Sequence, residues 1–355
     1  MKILVTGNCG YVGPVLGRHL NTNYPAAKLY GLDTGYFLHS LKTETKYSPW
    51  YQQYFGDIRD LDVRLLKGID TVVHLAAISN DPMGNRYQRV TEDINQRAGI
   101  RLAHAAKQLG VKRFVFASSC SIYGCASDSP RSEKDALNPL TAYARSKVAM
   151  EKALAELCDD NFTAVCLRFS TACGDSPGLR LDLVLNDFVA TALADNKIKI
   201  LSDGSPWRPL IDVEDMSRAI EWAITTSELP QPWLAINIGS NDRNYQVVEI
   251  AERVSVTLGN IKTETNPEAS PDKRSYKVDF SLFSKLAPNH QPRITLDQSI
   301  LNIAHRLKDQ PPETLCKLKT QLTRLYALEN LQKSHQLDDK LNWIQQTPCT
   351  VARQN

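Results

Sequence analysis

An α/β fold built on a doubly wound parallel sheet is predicted for this chain of 355 residues. Three observations carry the prediction. A glycine-rich turn joins an apolar strand to a helix at the N-terminus, short apolar runs alternate with longer helical patterns, and residues able to do chemistry fall where those runs end.

The first element is Lys2-Ile-Leu-Val-Thr-Gly7, an apolar run of the kind a fully buried parallel strand shows, stopping at glycine; from Tyr11 to Leu20 the pattern turns helical. Gly7, Gly10 and Gly13 punctuate the turn. A pyrophosphate needs such a turn, because no side chain blocks its approach to the backbone and the free N–H groups of a helix start favour negative charge. A second run, Lys28-Leu-Tyr-Gly-Leu32, ends at Asp33, where a carboxylate would hydrogen-bond an adenosine ribose and repel a 2′-phosphate. The spacing therefore predicts NAD, not NADP, on a Rossmann-type sheet. Tyr51 to Asp57 gives a third strand, whose end at Asp57 and Ile58 lies where an adenine would rest. Thr71-Val-Val-His-Leu-Ala-Ala77 gives a fourth, whose small Ala76 and Ala77 let a dinucleotide lie close to the backbone. A helix is expected over 90–109, carrying Asn95, and Arg113-Phe-Val-Phe-Ala-Ser118 is the fifth strand. In such a sheet, ligands bind beyond the carboxyl ends of the strands.

At one such end stands Ser119, and after the Asn138-Pro139 turn a helix opens with Tyr143-Ala-Arg-Ser-Lys147. Residues four apart share a helix face, so the phenol and the ammonium point the same way. An ammonium beside a phenol is expected to lower its pKa, letting it pass protons as a general base and acid. A serine hydroxyl within reach would orient a sugar or carbonyl oxygen. His74 is read as a packing residue that hydrogen-bonds backbone. Ser79 and Asn80, directly after the fourth strand, are expected to contact a sugar.

Composition excludes other classes. A hydrophobic content of 42%, a charged content of 23% and a net charge of +3 describe an ordinary globular protein with no call for nucleic acid or a membrane surface. No apolar stretch approaches a membrane span, and with the first strand at the N-terminus no export signal is expected. The eight cysteines lack metal-site or small-domain disulfide spacing, so they are expected to be reduced thiols in a cytoplasmic protein without a bound metal.

Taken together, Thr6-Gly-Asn-Cys-Gly-Tyr-Val-Gly13, Asp57-Ile58, His74-Leu-Ala-Ala77, Ser118-Ser-Cys-Ser-Ile-Tyr-Gly124 and Tyr143 to Lys147 resemble the extended short-chain dehydrogenases/reductases of the NAD-dependent nucleotide-sugar epimerase/dehydratase group, over residues 1 to 305. The resemblance implies that Tyr143 takes the proton from a sugar hydroxyl while hydride passes to NAD, with Ser119 and Lys147 assisting. It implies that Tyr11, Val12, Leu75 and Ser118 join the cofactor residues, with Asn95 a structural or cofactor contact. It also implies that Ser121, Asn186, Arg208 and Arg274 meet the nucleotide sugar, Arg208 gripping phosphate oxygens in bidentate fashion.

Departures from the family pattern narrow the reaction. The 4,6-dehydratases carry an Asp-Glu pair just after the catalytic hydroxyl residue, and this chain has Cys120-Ser121 there. In 3,5-epimerising members a cysteine stands two residues before the tyrosine of the Ile-Tyr pair, whereas Cys120 lies three before Tyr123; it is read as a buried inert thiol. What remains needs only the oxidising set, and C4 epimerisation through a transient 4-keto sugar is preferred. A 4-ketoreductase, a UDP-glucuronate decarboxylase and a non-catalytic NAD-sensing protein are the alternatives.

The expected organisation is an NAD-binding domain over 1–170 and 212–240, a smaller C-terminal α/β nucleotide-sugar domain over 171–211 and 241–308, and a helical extension over 309–355. In the extension, leucines from Leu315 to Leu331 mark one amphipathic helix expected to pack on the body, a subunit contact being the alternative. The helices near 90–109 and 143–157 are expected, by the same resemblance, to pair in a homodimer.

Overall fold

The computed structural model describes residues 1–38, 48–125, 129–265 and 275–344. Seven strands form one parallel sheet: β1 (Lys2–Thr6), β2 (Lys28–Asp33), β3 (Gln52–Phe55), β4 (Thr71–His74), β5 (Arg113–Ser119), β6 (Thr163–Phe169) and, after three strands of the second lobe, β10 (Trp233–Ile238). Their spatial order is β10-β6-β5-β4-β1-β2-β3. The order reverses between β1 and β4, which pair in register from Ile3 opposite Thr71 to Thr6 opposite His74. Such a switch point leaves a crevice at the strands' carboxyl ends. This is the Rossmann-type arrangement that the alternation predicted.

Helices cover both faces. On one side lie α1 (Gly13–Asn23), α7 (Val213–Thr225) and α9 (Ser281–Leu286), whose Leu16, Leu20, Ile220 and Phe283 bury Ile3, Val5, Val73 and Val115. On the other lie α2 (Asp81–Arg86), α3 (Gln88–Thr91), α4 (Gly99–Gln108) and α5 (Ala142–Leu157), where Leu102, Ala106, Met150 and Leu154 cover Leu4, Val72, Phe114 and Cys166. The helix expected over 90–109 is interrupted. Residues Glu92–Ala98 widen into a π-turn between α3 and α4, an irregularity often found beside functional sites.

A second lobe packs around α6 (Val184–Asp195), α8 (Val247–Thr257) and α10 (Leu296–Leu307). It carries β7 (Thr171–Cys173), β9 (Trp207–Asp212) and β11 (Asn244–Gln246) in one sheet, and β8 (Lys197–Ile200) beside β12 (Lys262–Thr265) in another. The tail departs from the single helix expected: it forms α11 (Pro312–Gln321) and α12 (Arg324–Lys333). The leucine spacing explains the break. Leu315, Leu318 and Leu322 face the second lobe's core, whereas Leu325, Leu328 and Leu331 face the core of the Rossmann lobe, and one straight helix cannot serve both. The stripe thus packs on the body. Among the described residues no helix is long and apolar enough to cross a membrane.

Candidate active site

One cavity of about 680 Å³ runs along the carboxyl ends of the strands and into the second lobe. Its first wall is the glycine turn. Gly7 sits at φ +72°, donates its N–H to Leu32 O at 2.8 Å, and leaves so little room that a Cβ there would lie 2.6 Å from Ala76 N. Only glycine allows that conformation and that approach of β1 to β4. Gly10 and the backbone of Tyr11 and Val12 complete the wall, and α1 begins with no side chain capping its first turn. Uncapped N–H groups at a helix start suit an anion. Gly13 does not line the cavity; it is the contact point of α1 with the turn, where a Cβ would fall 2.1 Å from Asn8 O.

At the end of β2, Asp33 lines the cavity while its carboxylate accepts hydrogen bonds from Cys9 N at 2.9 Å and Gly35 N at 2.7 Å. Burial raises its pKa, and those two amides pull it back down. Asp57 and Ile58 lie beside it on the lining; Asp57 also caps the next turn and binds Arg59 Nη2 at 2.6 Å. Leu75, Ala76 and Ala77 follow on β4, and then Ser79 and Asn80. The last two are tethered to a pair that the sequence reading missed. Arg180 Nη1 donates to Ser79 Oγ at 3.1 Å, Arg180 grips Asp182 through two bonds of 3.0 Å, and Asn80 Nδ2 donates to Asp182 Oδ2 at 2.6 Å.

The chemistry-bearing wall is built by β5 and α5. Ser118 donates to Glu151 Oε1 at 2.5 Å, and Glu151 pairs with buried Arg168 at 2.7 Å, which fixes the end of β5 against α5. Thr141 caps α5 by accepting from Ala144 N at 3.1 Å and donates to Asp81 at 2.6 Å. This sets Tyr143 in the helix's first turn, facing the cavity with Ser119 and Lys147. Ser119 hydrogen-bonds the phenol. Lys147 Nζ donates to Ala117 O at 2.7 Å and sits 5.4 Å from the Tyr143 ring centre.

The electrostatics correct one expectation. Burial pushes the Tyr143 phenol up to about 12 and Asp81 adds to the rise, while the Ser119 hydrogen bond and the Arg180 charge pull it down. Lys147 is itself held down to about 7, mainly by burial, against the raising field of Glu151. The lysine charge is thus not what governs the phenol; the nearer cation in effect is Arg180. The reason is dielectric: a phenolate loses more by leaving water than a desolvated ammonium returns.

Other assignments are resolved by the hydrogen bonds. Asn95, on the π-turn, donates to Ile78 O at 2.9 Å and to Ser146 Oγ at 3.2 Å and accepts from Ile78 N at 2.8 Å, so its amide holds the loop after β4 against α5 and does not line the cavity. Asn186 is fully buried off the cavity, donating to Arg180 O at 2.9 Å and accepting from Gly174 N at 3.1 Å; it shapes the loop that presents Arg180. Both are positioning residues in this structure, because their polar atoms are already engaged. His74 is buried and hydrogen-bonds Thr6 Oγ1 at 2.7 Å, a side chain and not backbone. Burial and the Lys147 charge hold its pKa down to about 3, so it stays neutral.

Cys120 is wholly buried away from the cavity, its thiol pushed up by burial and donating to Arg168 O at 3.0 Å. Ser121 instead lines the cavity, with a hydroxyl that has no hydrogen-bond partner. Arg208 lines the far end with Tyr276. Arg274 lies outside the described residues. The cavity also takes Arg324 from the tail, which the sequence reading did not single out.

Comparison with known proteins agrees with this geometry. A family model described as the NAD dependent epimerase/dehydratase family matches residues 3–239. The uncharacterized UDP-glucose epimerase YtcB of Bacillus subtilis (strain 168) is 31% identical over 271 residues, 72% of this chain and 82% of that protein. A UDP-glucose 4-epimerase of Lactobacillus helveticus is 29% identical over 276 residues, with the same two coverages of 72% and 82%. The solved structure of MoeE5 in complex with UDP-glucose and NAD is similar with a TM-score of 0.73 at 27% identity, covering 87% of this chain and 99% of that one. The chain belongs to the NAD dependent epimerase/dehydratase family, enzymes that work with NAD.

Proposed function

We propose that the chain is a nucleotide-sugar 4-epimerase that oxidises the C4 hydroxyl of its substrate and reduces the transient 4-keto sugar on the opposite face. The observation that carries this is the cavity wall of Ser119, Tyr143 and Lys147, combined with what does not follow Ser119: a buried thiol and a serine, with no carboxylate pair. Oxidation and re-reduction at C4 need that wall alone. Removal of water from C5 and C6 would need an acid and a base more.

The residues present fit the cofactor: Gly7 and Gly10 leave a cradle that a Cβ would fill, and the uncapped start of α1 faces it. Asp33 would hold the adenosine ribose, with Asp57 and Ile58 at the adenine and Ala76 and Ala77 against the dinucleotide. NAD, when bound, supplies the hydride acceptor and returns the hydride. Tyr143 Oη accepts the proton from the C4 hydroxyl and gives it back when the ketone is reduced. Ser119 Oγ, already bonded to the phenol, orients the sugar oxygen. Ser79, Asn80 and Ser121 contact the sugar, and Arg208 and Arg274 its diphosphate. The protonated phenol that burial favours is the state that reduces; oxidation needs the phenolate, which Arg180 supports.

Asp33 gives a direct expectation. Calorimetry should show NADP binding on the order of a hundredfold more weakly than NAD, since a 2′-phosphate would meet a buried carboxylate. Equal affinities would remove Asp33 from this role. The reaction itself is tested by proton NMR after incubation with a panel of nucleotide hexoses and hexuronates. A C4 epimer pair approaching equilibrium without added reductant is the expected result, and loss of carbon dioxide or a 4-keto product would refute it. The reading extends, on the resemblance, to a cytoplasmic homodimer that pairs α4 and α5. Free thiols at seven described cysteines are consistent with that location.

A further inference from the structure

The family model stops at residue 239, yet the cavity receives a side chain from the tail. Arg324 opens α12 and is only 2% exposed. Its guanidinium stacks 4.2 Å from the Phe37 ring centre, and Nη2 donates to Gly178 O at 2.8 Å. Nη1 has no hydrogen-bond partner. The nearby carboxylates do not serve it: Asp33 faces the amides of Cys9 and Gly35, and Asp182 is engaged by Arg180 and Asn80. A buried guanidinium with an open donor is costly until an anion reaches it. Burial, with the Arg180 charge adding, lowers its pKa to about 9, which still leaves it a cation at neutral pH.

The rest of the tail fastens this arginine in place. Trp343 Nε1 donates to Thr34 O at 2.8 Å, the Tyr36 hydroxyl donates to Leu341 O, and Arg59 Nη1 donates to Lys340 O at 2.6 Å. The tail thereby clasps the loops after β2 and β3, the two that border Asp33 and Asp57.

We propose that Arg324 is a diphosphate-binding residue contributed by the C-terminal tail, which closes the cavity over the bound dinucleotide. A diphosphate could belong to NAD or to the nucleotide sugar. The placement of Arg324 against Phe37, on the loop that follows Asp33, favours NAD. This inference rests on the cofactor of the family and not on which reaction follows, so a chain that binds NAD through Arg324 yet inverts no sugar would overturn only the epimerase reading.

The test is calorimetry of the full chain and of Arg324→Met with NAD and, separately, with UDP. Arg324→Met keeps much of the buried volume but removes the cation. The expected result is NAD binding about tenfold to a hundredfold weaker, less NAD carried through purification, and unchanged UDP affinity. Unchanged NAD affinity in a folded variant would overturn the proposal, and weaker UDP binding with NAD unaffected would overturn the assignment to the dinucleotide. Should the variant not fold, hydrogen exchange on the unaltered chain decides. NAD should slow amide exchange across 322–344 while adenosine, which has no diphosphate, does not; equal effects of the two, or none, would contradict it.

Discussion

Tyr143→Phe should yield a folded protein that still binds NAD and turns over about a hundredfold or more slowly. Only a hydroxyl is lost, and the ring remains beside Lys147 on a helix capped by Thr141. What disappears is the one group that touches both Ser119 and the proposed sugar oxygen. The effect belongs in kcat more than in KM, because the proton moves only in the chemical step. The high pKa of the phenol adds a pH signature. With the group near 12 in the empty cavity, oxidation draws on a minority phenolate, so the rate of NADH formation should rise with pH through the neutral range. Activity within a few fold of the parent would take Tyr143 out of the mechanism.

Gly7→Ala is expected to abolish NAD binding and to destabilise the chain. The residue is at φ +72°, which costs an alanine about 1–2 kcal/mol, and its new Cβ would press on the backbone of Ala76, a collision worth about 1–3 kcal/mol more. Backbone on both sides leaves nothing flexible to give way. The strain opens the β1–β4 crevice where the dinucleotide lies. Thermal unfolding and the cofactor content of the purified protein check this together. A melting temperature within a degree of the parent, with NAD retained, would show that the turn can relax.

The parts of the site legible in the sequence are those set by short-range rules. Gly7, Asp33, Ser119 and Tyr143 each stand where an apolar run ends or a helix begins, so period and punctuation locate them without the tertiary structure. Arg180 and Arg324 carry no such mark. Arg180 reaches Ser79 across 101 positions and Arg324 reaches Gly178 across 146, and no local pattern encodes contacts at that range. Arg324 was further hidden inside a leucine stripe that reads as one helix until the two cores it serves are known. Asn95 and Asn186 failed in the other direction. A motif can mark a residue's identity, but only the hydrogen-bond partners show that both amides are occupied by backbone.

The C4-epimerase assignment is most directly tested in heavy water, with an accepted nucleotide sugar and no added reductant. Hydride taken from C4 and returned by NADH never exchanges with solvent, so the sugar should invert at C4 with no deuterium in the ring. Cys120, buried off the cavity, offers no acid or base at a carbon beside the ketone. Deuterium at C5 would mark 4,6-dehydration, deuterium at C3 and C5 would mark 3,5-epimerisation, and a product formed only with stoichiometric NADH would mark a ketoreductase; any of these results would contradict the assignment.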